Sequence, residues 1–155
     1  MIRPDVKVTG QPTAAQLADF KVFGAFNGAE TDAYLTGLLR AGMIAVQEWA
    51  DTTLLATTVT MTVTEREDTL APITLLLSGI AIESVKDENG VALDYKFLGH
   101  QVLVPAPAKA VVITYNATPT EGAALEALLL KAWRYAAAKY DGDPAPDINR
   151  IAAEI

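Results

Sequence analysis

The sequence predicts an α+β fold, a helical bundle with two N-terminal and two C-terminal helices and an antiparallel β-subdomain inserted between the long helices. Three observations lead to this prediction. Apolar residues recur at spacings of three and four after Thr31, they alternate with threonine from Thr57 to Glu67, and the helical spacing returns after Thr120. The change of period from 3.6 to 2 and back places a β-insert at residues 57–117 within a single domain, residues 1–155.

The N-terminal part predicts an extended arm followed by a short helix. Residues 1–12 contain two prolines and show no periodicity, which is typical of an extended segment. A helix is expected over residues 13–24, because Thr13 and Gln16 have the spacing of a capping box and Gly24 is a common helix terminator.

The second helix is predicted from Thr31 or Asp32 to about residue 56. Its apolar face is formed by Tyr34, Leu35, Leu38, Leu39, Met43, Val46 and Trp49. Gly37 and Gly42 lie inside this helix, where each costs about 1 kcal/mol relative to alanine. A close approach by another helix would explain both glycines. Trp49 and Trp133 are both interpreted as lying on buried helix faces.

The β-insert is predicted from alternation and turn signals. Val59, Met61 and Val63 are expected on one face of the first strand, with threonines on the other. Further strands are expected at residues 72–77, 80–87, 91–99, 100–105 and 110–117, giving five or six short strands in all. The Asn-Gly pair in residues 87–90 predicts a hairpin turn, and Gly99–His100 predicts a second tight turn.

Helical spacing then resumes near Thr120 and continues to about Tyr140. The proline-containing stretch at residues 141–147 interrupts it, and a last short helix is predicted after it. Residues 144–155 begin with proline and carry isoleucines at Ile148, Ile151 and Ile155, which is the spacing of a helix that binds in a groove. We therefore expect this segment to be a C-terminal docking arm.

The composition excludes several functional classes. The chain has no cysteine, so disulfides, zinc–thiolate sites and thiol nucleophiles are absent. Its net charge of −7 speaks against binding nucleic acid through phosphate neutralisation. The N-terminus lacks the apolar region of a signal peptide, and no apolar run reaches the ~18 residues of a membrane helix. Hydrophobic residues are 51% and charged residues 20%, which favours association with other subunits.

No catalytic or metal-binding pattern is convincing in the sequence. His100 is the only histidine and falls in a predicted turn. The aspartates of residues 141–147 begin like a calcium loop, but Pro146 and Ala152 stand where an EF-hand needs glycine and glutamate. The carboxylates around Arg66 are interpreted as a solvated loop. We therefore expect no enzyme activity, no metal and no cofactor.

Two motifs resemble tailed-phage head–tail connector proteins, also called head completion or adaptor proteins. The N-terminal motif consists of Asp32, Tyr34, Leu35, Leu38 and Ala41. The C-terminal motif consists of Val112, Ile113, Tyr115, Ala127, Leu130, Ala132, Trp133 and Tyr140. The resemblance covers most of the chain. Departures occur at residues 117–119, where the family often has glycine, and at residues 139–141, where many members carry arginine.

The resemblance implies a structural role. Such proteins form a ring, commonly of twelve copies, beneath the portal, where it extends the DNA channel and gives the tail its docking surface. The implied partners are copies of the same chain, the portal protein and a tail-proximal connector or tail terminator protein. DNA would pass through without specific binding, and no membrane would be involved. The implied location is the head–tail interface of the virion, after assembly in the host cytoplasm.

Candidate contact residues follow from this resemblance and from the physics of a ring. The portal-docking candidates are Ile148, Ile151 and Ile155, and the inter-subunit candidates are Gly37, Gly42, Ala136 and Ala137. The DNA-channel candidates are Glu65, Glu67, Asp68, Asp87 and Glu88. Two alternatives stay open, a small-ligand or carbohydrate-binding module and a small enzyme using Asp141, Asp143, Asp147 and His100.

Overall fold

The computed structural model describes residues 1–26, 28, 30–66 and 71–153, and this part of the chain confirms the α+β class. The helices are α1 (Ala14–Gly24), α2 (Asp32–Ala50), α3 (Gly122–Tyr140) and α4 (Ile148–Ala153). The strands are β1 (Ile2–Val8), β2 (Thr57–Val63), β3 (Ile73–Thr74), β4 (Ile80–Asp87), β5 (Lys96–Leu98), β6 (Gln101–Leu103) and β7 (Val111–Ala117). The chain divides into two compact units. The β unit combines residues 1–9 and 56–118, and the helical unit combines residues 10–55 with the chain from Pro119 onwards.

Helices α1 and α2 begin at the predicted threonine caps. Thr13 and Gln16 form the expected capping box, with the Gln16 amide donating to Thr13 Oγ1 at 3.1 Å. The Thr31 hydroxyl oxygen caps α2 by accepting from the Tyr34 amide at 3.2 Å. However, α2 ends at Ala50 instead of near residue 56, because Asp51 takes a left-handed conformation with φ of 48°.

A buried glutamine fixes the turn that follows α2. Gln47 is almost fully buried, and its Oε1 accepts from the amides of Leu54 at 2.8 Å and Leu55 at 3.0 Å. A buried polar side chain is tolerated when its hydrogen bonds are satisfied, and here it also satisfies two backbone donors. The interior of the unit is formed mainly by Phe20 of α1, Leu35, Leu38, Leu39, Met43 and Val46 of α2, and Leu129, Ala132 and Ala136 of α3.

The β unit contains two antiparallel sheets that share one core. The first sheet has the order β1-β2-β7-β4, and the second has the order β3-β6-β5. The β2 strand alternates between buried and half-buried residues, with Val59, Met61 and Val63 inside as predicted. Tyr115 of β7 is fully buried, and its hydroxyl accepts from the Leu76 amide at 2.9 Å and donates to the Leu76 carbonyl at 3.2 Å. The β-insert therefore has a single interior.

Residues 1–12, predicted as an extended arm, contain a strand of this first sheet. Strand β1 pairs with β2 from Ile2 opposite Val63 to Val8 opposite Thr57. Its side chains are exposed for most of its length. Ile2, Val6 and Val8 do alternate with Arg3, Asp5 and Lys7, so the expectation of no periodicity in residues 1–12 is wrong; the pattern is short and contains Pro4, which is uncommon inside strands. The first sheet therefore extends one strand beyond the predicted insert.

Strand β4 has the predicted bounds and β7 nearly so, whereas β3, β5 and β6 are shorter than predicted; the turns are in the expected places. The strand expected at residues 72–77 is limited to β3, and Leu77 has a positive φ of 69° that is incompatible with a regular strand. The strand expected at 91–99 is limited to β5. The register of Leu98 opposite Gln101 leaves Gly99 and His100 as a two-residue turn, with φ of 72° at Gly99. The Asp87–Gly90 turn is also confirmed, with φ of 80° at Gly90.

Candidate assembly surfaces

The C-terminal helix α4 is folded back onto its own helical unit. Asp147 starts it, since its Oδ1 accepts from the Asn149 amide at 3.1 Å and its carbonyl accepts from the Ile151 amide at 3.1 Å. Ile151 and Ala152 are buried, and α4 packs against both α2 and α3. The Lys131 ammonium donates to the Ala152 carbonyl at 2.7 Å, which stabilises the C-terminal end of the helix.

One predicted docking residue remains available beside an uncovered tryptophan. Ile148 is half-buried and borders an open groove together with Trp49, Tyr135 and Pro146. The prediction that Trp49 lies on a buried face is wrong, because its side chain is 43% exposed near the end of α2. The Lys131 ammonium lies 5.5 Å from its ring centroid, a cation–π contact. We call Trp49, Tyr135 and Ile148 the α4 groove.

The other two docking candidates do not lie in this groove. Ile151 is 4% exposed and belongs to the interior of the helical unit. Ile155 lies outside the described residues.

The glycine and alanine candidates separate into an interior pair and an accessible pair. A Cβ built on Gly42 would lie 2.4 Å from the carbonyl oxygen of Ala132 in α3, and Ala136 is fully buried. The close helix approach expected at Gly42 therefore occurs within one chain, and neither residue offers a surface to a neighbouring copy. Gly37 has no atom within 4 Å of its Cβ position, and Ala137 is half-buried.

The described acidic candidates lie at one end of the first sheet. Val63, Val111 and Asp87 occupy matching register positions in β2, β7 and β4, so Glu65 and Glu88 follow strands that end at the same side. The two strand ends are separated by β7 and hence by about 10 Å. Both glutamates are exposed.

The other acidic candidates differ in their surroundings. The Asp87 carboxylate already accepts from the amides of Asn89 and Val91, at 2.9 Å each. Glu67 and Asp68 fall outside the described part of the chain. The structure therefore brings together Glu65, Asp87 and Glu88 among the five candidates.

Arg66 has a structural role that the sequence did not reveal. Its Nη2 donates to the Val104 carbonyl at 2.6 Å, and its Nη1 donates to the carbonyls of Ala108 at 3.0 Å and Ala106 at 3.4 Å. The guanidinium thus anchors the proline-rich connection before β7. Adjacent carboxylates had suggested only a solvated loop, and no sequence pattern identifies distant carbonyl partners.

The residues proposed for an enzymatic alternative have ordinary structural surroundings. His100 is exposed in the turn between β5 and β6. In the helical unit, Asp143 Oδ1 accepts from the Ala145 amide at 3.1 Å, and Asp147 caps α4. Over the described residues, no group of three or more histidine, aspartate or glutamate side chains is placed to hold a metal ion. None of the described helices is both long and apolar enough to span a membrane.

No protein-family model matches the chain, and no curated protein matches it in sequence. The comparison with solved structures is informative. The same fold is found in gene transfer agent particles. A chain from the virion of the native gene transfer agent particle has a TM-score of 0.64 and 19% identity, covering 99% of this chain and 93% of that one.

Two chains from particle necks give similar results. One, from the neck of the empty particle computed with C6 symmetry, has a TM-score of 0.65 and 22% identity, covering 97% of this chain and 94% of that chain. The other, from the neck of the native particle computed with C12 symmetry, has a TM-score of 0.61 and 20% identity with the same coverage. The protein therefore shares its complete fold, both helical and β elements, with these chains.

Proposed function

We propose that this protein is a non-enzymatic structural subunit of a head–tail neck, forming a ring of twelve copies beneath a portal. The observation that carries the proposal is the likeness to neck chains over 97% of this chain and 94% of theirs. The C6 and C12 symmetries of those necks support a ring of subunits. The connector-like motifs at both ends of the sequence point independently to the same role.

In this proposal the α4 groove is the portal-docking surface. Its exposed tryptophan and half-buried isoleucine provide an aromatic and aliphatic anchor of the kind that dominates protein interfaces. The described part of the predicted arm, residues 144–153, acts from its folded-back position, with Ile148 towards the partner and Ile151 towards the subunit interior. Gly37 and Ala137 remain candidates for contact between copies, because their positions are accessible.

The acidic end of the first sheet supports a channel lining that does not bind DNA. Glu65 and Glu88 are exposed, and the chain as a whole carries a charge of −7. Carboxylates repel phosphates over about one Debye length, ~8 Å at physiological ionic strength. DNA would therefore pass without specific binding. The opposite end of the ring would receive a tail-proximal connector or tail terminator, placing the protein at the head–tail interface of a virion assembled in the host cytoplasm.

Light scattering with and without the portal protein of the same particle tests this function. We expect a ring-sized species at high concentration, or a complex of defined stoichiometry when portal is added. If the measured mass stays that of one subunit with and without portal protein, the proposal is refuted. Ligand binding and enzyme activity are then the functions to test. No feature of the described residues favours either of those two alternatives.

A matched pair of variants tests the α4 groove. Ile148→Ser should weaken portal binding at least tenfold, because it removes an apolar anchor, whereas Arg150→Ser on the same short helix should leave binding unchanged. If both variants bind the portal protein with equal affinity, the groove does not contact the portal. Deleting residues 147–155 is a less clean test, because it also removes the buried Ile151.

A further inference from the structure

One edge of the β unit has apolar side chains that are largely exposed in the described part of the chain. Ile2 and Val6 of β1 are 56% and 41% exposed, although their register partners Val63 and Val59 are buried. Residues paired across an antiparallel ladder point to the same face of the sheet. Ile2 and Val6 therefore continue the core-facing side of the sheet past the point where the core ends.

A second uncovered apolar surface begins at the other edge of this sheet, beside β4, and continues into β5, an edge strand of the second sheet. It lies in residues 91–98, here called the 91–98 segment, and includes Val91, Tyr95, Phe97 and Leu98. The segment begins beside β4, where the Leu93 amide donates to the Val85 carbonyl at 2.9 Å. Because β1 and β4 are the two edges of a four-stranded sheet, the segment begins at least about 14 Å from β1.

The two edges that carry these surfaces have opposite charge, with Arg3 and Lys7 on the face of β1 opposite to Ile2 and Val6. Strand β1 contains two cations, Arg3 and Lys7, and a single carboxylate, although the chain as a whole is acidic. The 91–98 segment and the turn before it contain three carboxylates and one cation, namely Asp87, Glu88, Asp94 and Lys96. Complementary charges favour contact between the two different surfaces and disfavour contact of the acidic surface with itself.

We infer that β1 of one copy packs against the 91–98 segment of the next copy. This inference rests on the proposed ring and names its lateral contact. Two distinct, complementary surfaces on opposite edges are what a head-to-tail contact needs, whereas a two-fold contact uses one self-complementary surface. The acidic turn at Asp87 then lies beside the boundary between copies, where it can still face a central channel.

The contact is made by side chains and does not continue the sheet. Met1 and Thr64 exchange two backbone hydrogen bonds, each of 2.8 Å, so the even-numbered residues of β1 direct their amides outward. Pro4 is one of these residues and has no amide hydrogen to donate. A neighbouring strand could therefore not pair along the whole edge, which leaves Ile2 and Val6 as the anchors.

Engineered cysteines provide a direct test, since the chain has no cysteine of its own. A variant carrying both Val6→Cys and Phe97→Cys is treated with a short bismaleimide crosslinker, alone and with portal protein. We expect a ladder of covalent multimers on a denaturing gel. Each single variant should stay at subunit mass, because a head-to-tail contact never brings the same position of two copies together. A Val6→Cys/Val22→Cys variant is the control and should give no ladder. Its second cysteine is at an exposed position of α1, outside the proposed contact.

The outcomes separate this inference from the proposed function. A ring detected by light scattering without a crosslinked ladder overturns the lateral contact and leaves the ring proposal standing. Crosslinked dimers from Val6→Cys alone would show a two-fold contact at β1 and also overturn it. A sample that stays monomeric with and without portal refutes both. As a second measurement, Ile2→Ser/Val6→Ser should raise the concentration needed for assembly at least tenfold while leaving the thermal unfolding midpoint of the monomer unchanged.

Discussion

Replacing Gly42 with alanine should destabilise the protein, although alanine is the better helix former. A Cβ at this position would lie 2.4 Å from the carbonyl oxygen and 3.2 Å from the carbonyl carbon of Ala132. The two Ala132 atoms belong to the α3 backbone and the new Cβ is fixed to the α2 backbone, so the two helices must move apart. Overpacking of this kind costs about 1–3 kcal/mol, and the gain in helix propensity offsets about 1 kcal/mol of it. We expect a net loss of up to about 2 kcal/mol.

Gly37→Ala is the matched control within the same helix. Nothing lies within 4 Å of its Cβ position, so the substitution should stabilise by about 1 kcal/mol through propensity alone. The two variants should then differ by about 1–3 kcal/mol, or roughly 2–12 °C in Tm for a chain of this length. Thermal unfolding by circular dichroism at two protein concentrations measures this difference. Equal Tm values, or a Gly42→Ala effect seen only where copies associate, would refute the assignment of this contact to a single chain.

Three further predictions concern polar groups of the fold. Gln47→Met should cost about 2–4 kcal/mol in urea unfolding, because two buried amides lose their acceptor; a loss below 1 kcal/mol would contradict this. Arg66→Met should lower stability by about 2 kcal/mol and raise the protease sensitivity of residues 104–109, whereas unchanged proteolysis would argue against the anchor. The hydrogen bond from Tyr140 to Glu30, together with burial, raises the pKa of Tyr140 above 10.0. The protonated hydroxyl therefore stabilises the folded protein below pH 10, and this contribution is lost as pH rises through the pKa that Tyr140 has in the folded state. Wild type should therefore lose more stability than Tyr140→Phe between pH 9 and 11, and parallel curves would contradict the assignment.

The sequence predicts the elements that are specified by a pattern of neighbouring residues. The capping box of α1, the Thr31 cap of α2 and the alternation of β2 are local patterns, and all three are confirmed. Both hairpin turns were predicted for the same reason, since glycine at a positive φ is a local requirement.

Features that depend on distant partners could not be predicted. The alternation of β1 is short, contains Pro4 and belongs to a mostly exposed strand, so its place in the sheet is evident only from its pairing with β2. Trp49 continues the apolar spacing of α2, but its side chain is left uncovered near the end of the helix. The glycine spacing correctly indicated a close helix approach at Gly42, yet periodicity cannot distinguish a helix of the same chain from a helix of a neighbour. The inter-subunit role of Gly37 and Ala137 stays a prediction.

The pairing of β1 with β2 imposes an order on the synthesis of this protein. Ile2 lies opposite Val63, and both α1 and α2 are encoded between the two strands. At a translation rate of roughly 5–20 residues per second, the first strand leaves the ribosome several seconds before its partner. The other neighbour of β2 is β7, at Val111–Ala117, so the central part of the sheet closes only when most of the chain has been made. Local helices can form during this delay, whereas β1 has no partner strand until β2 has been synthesised.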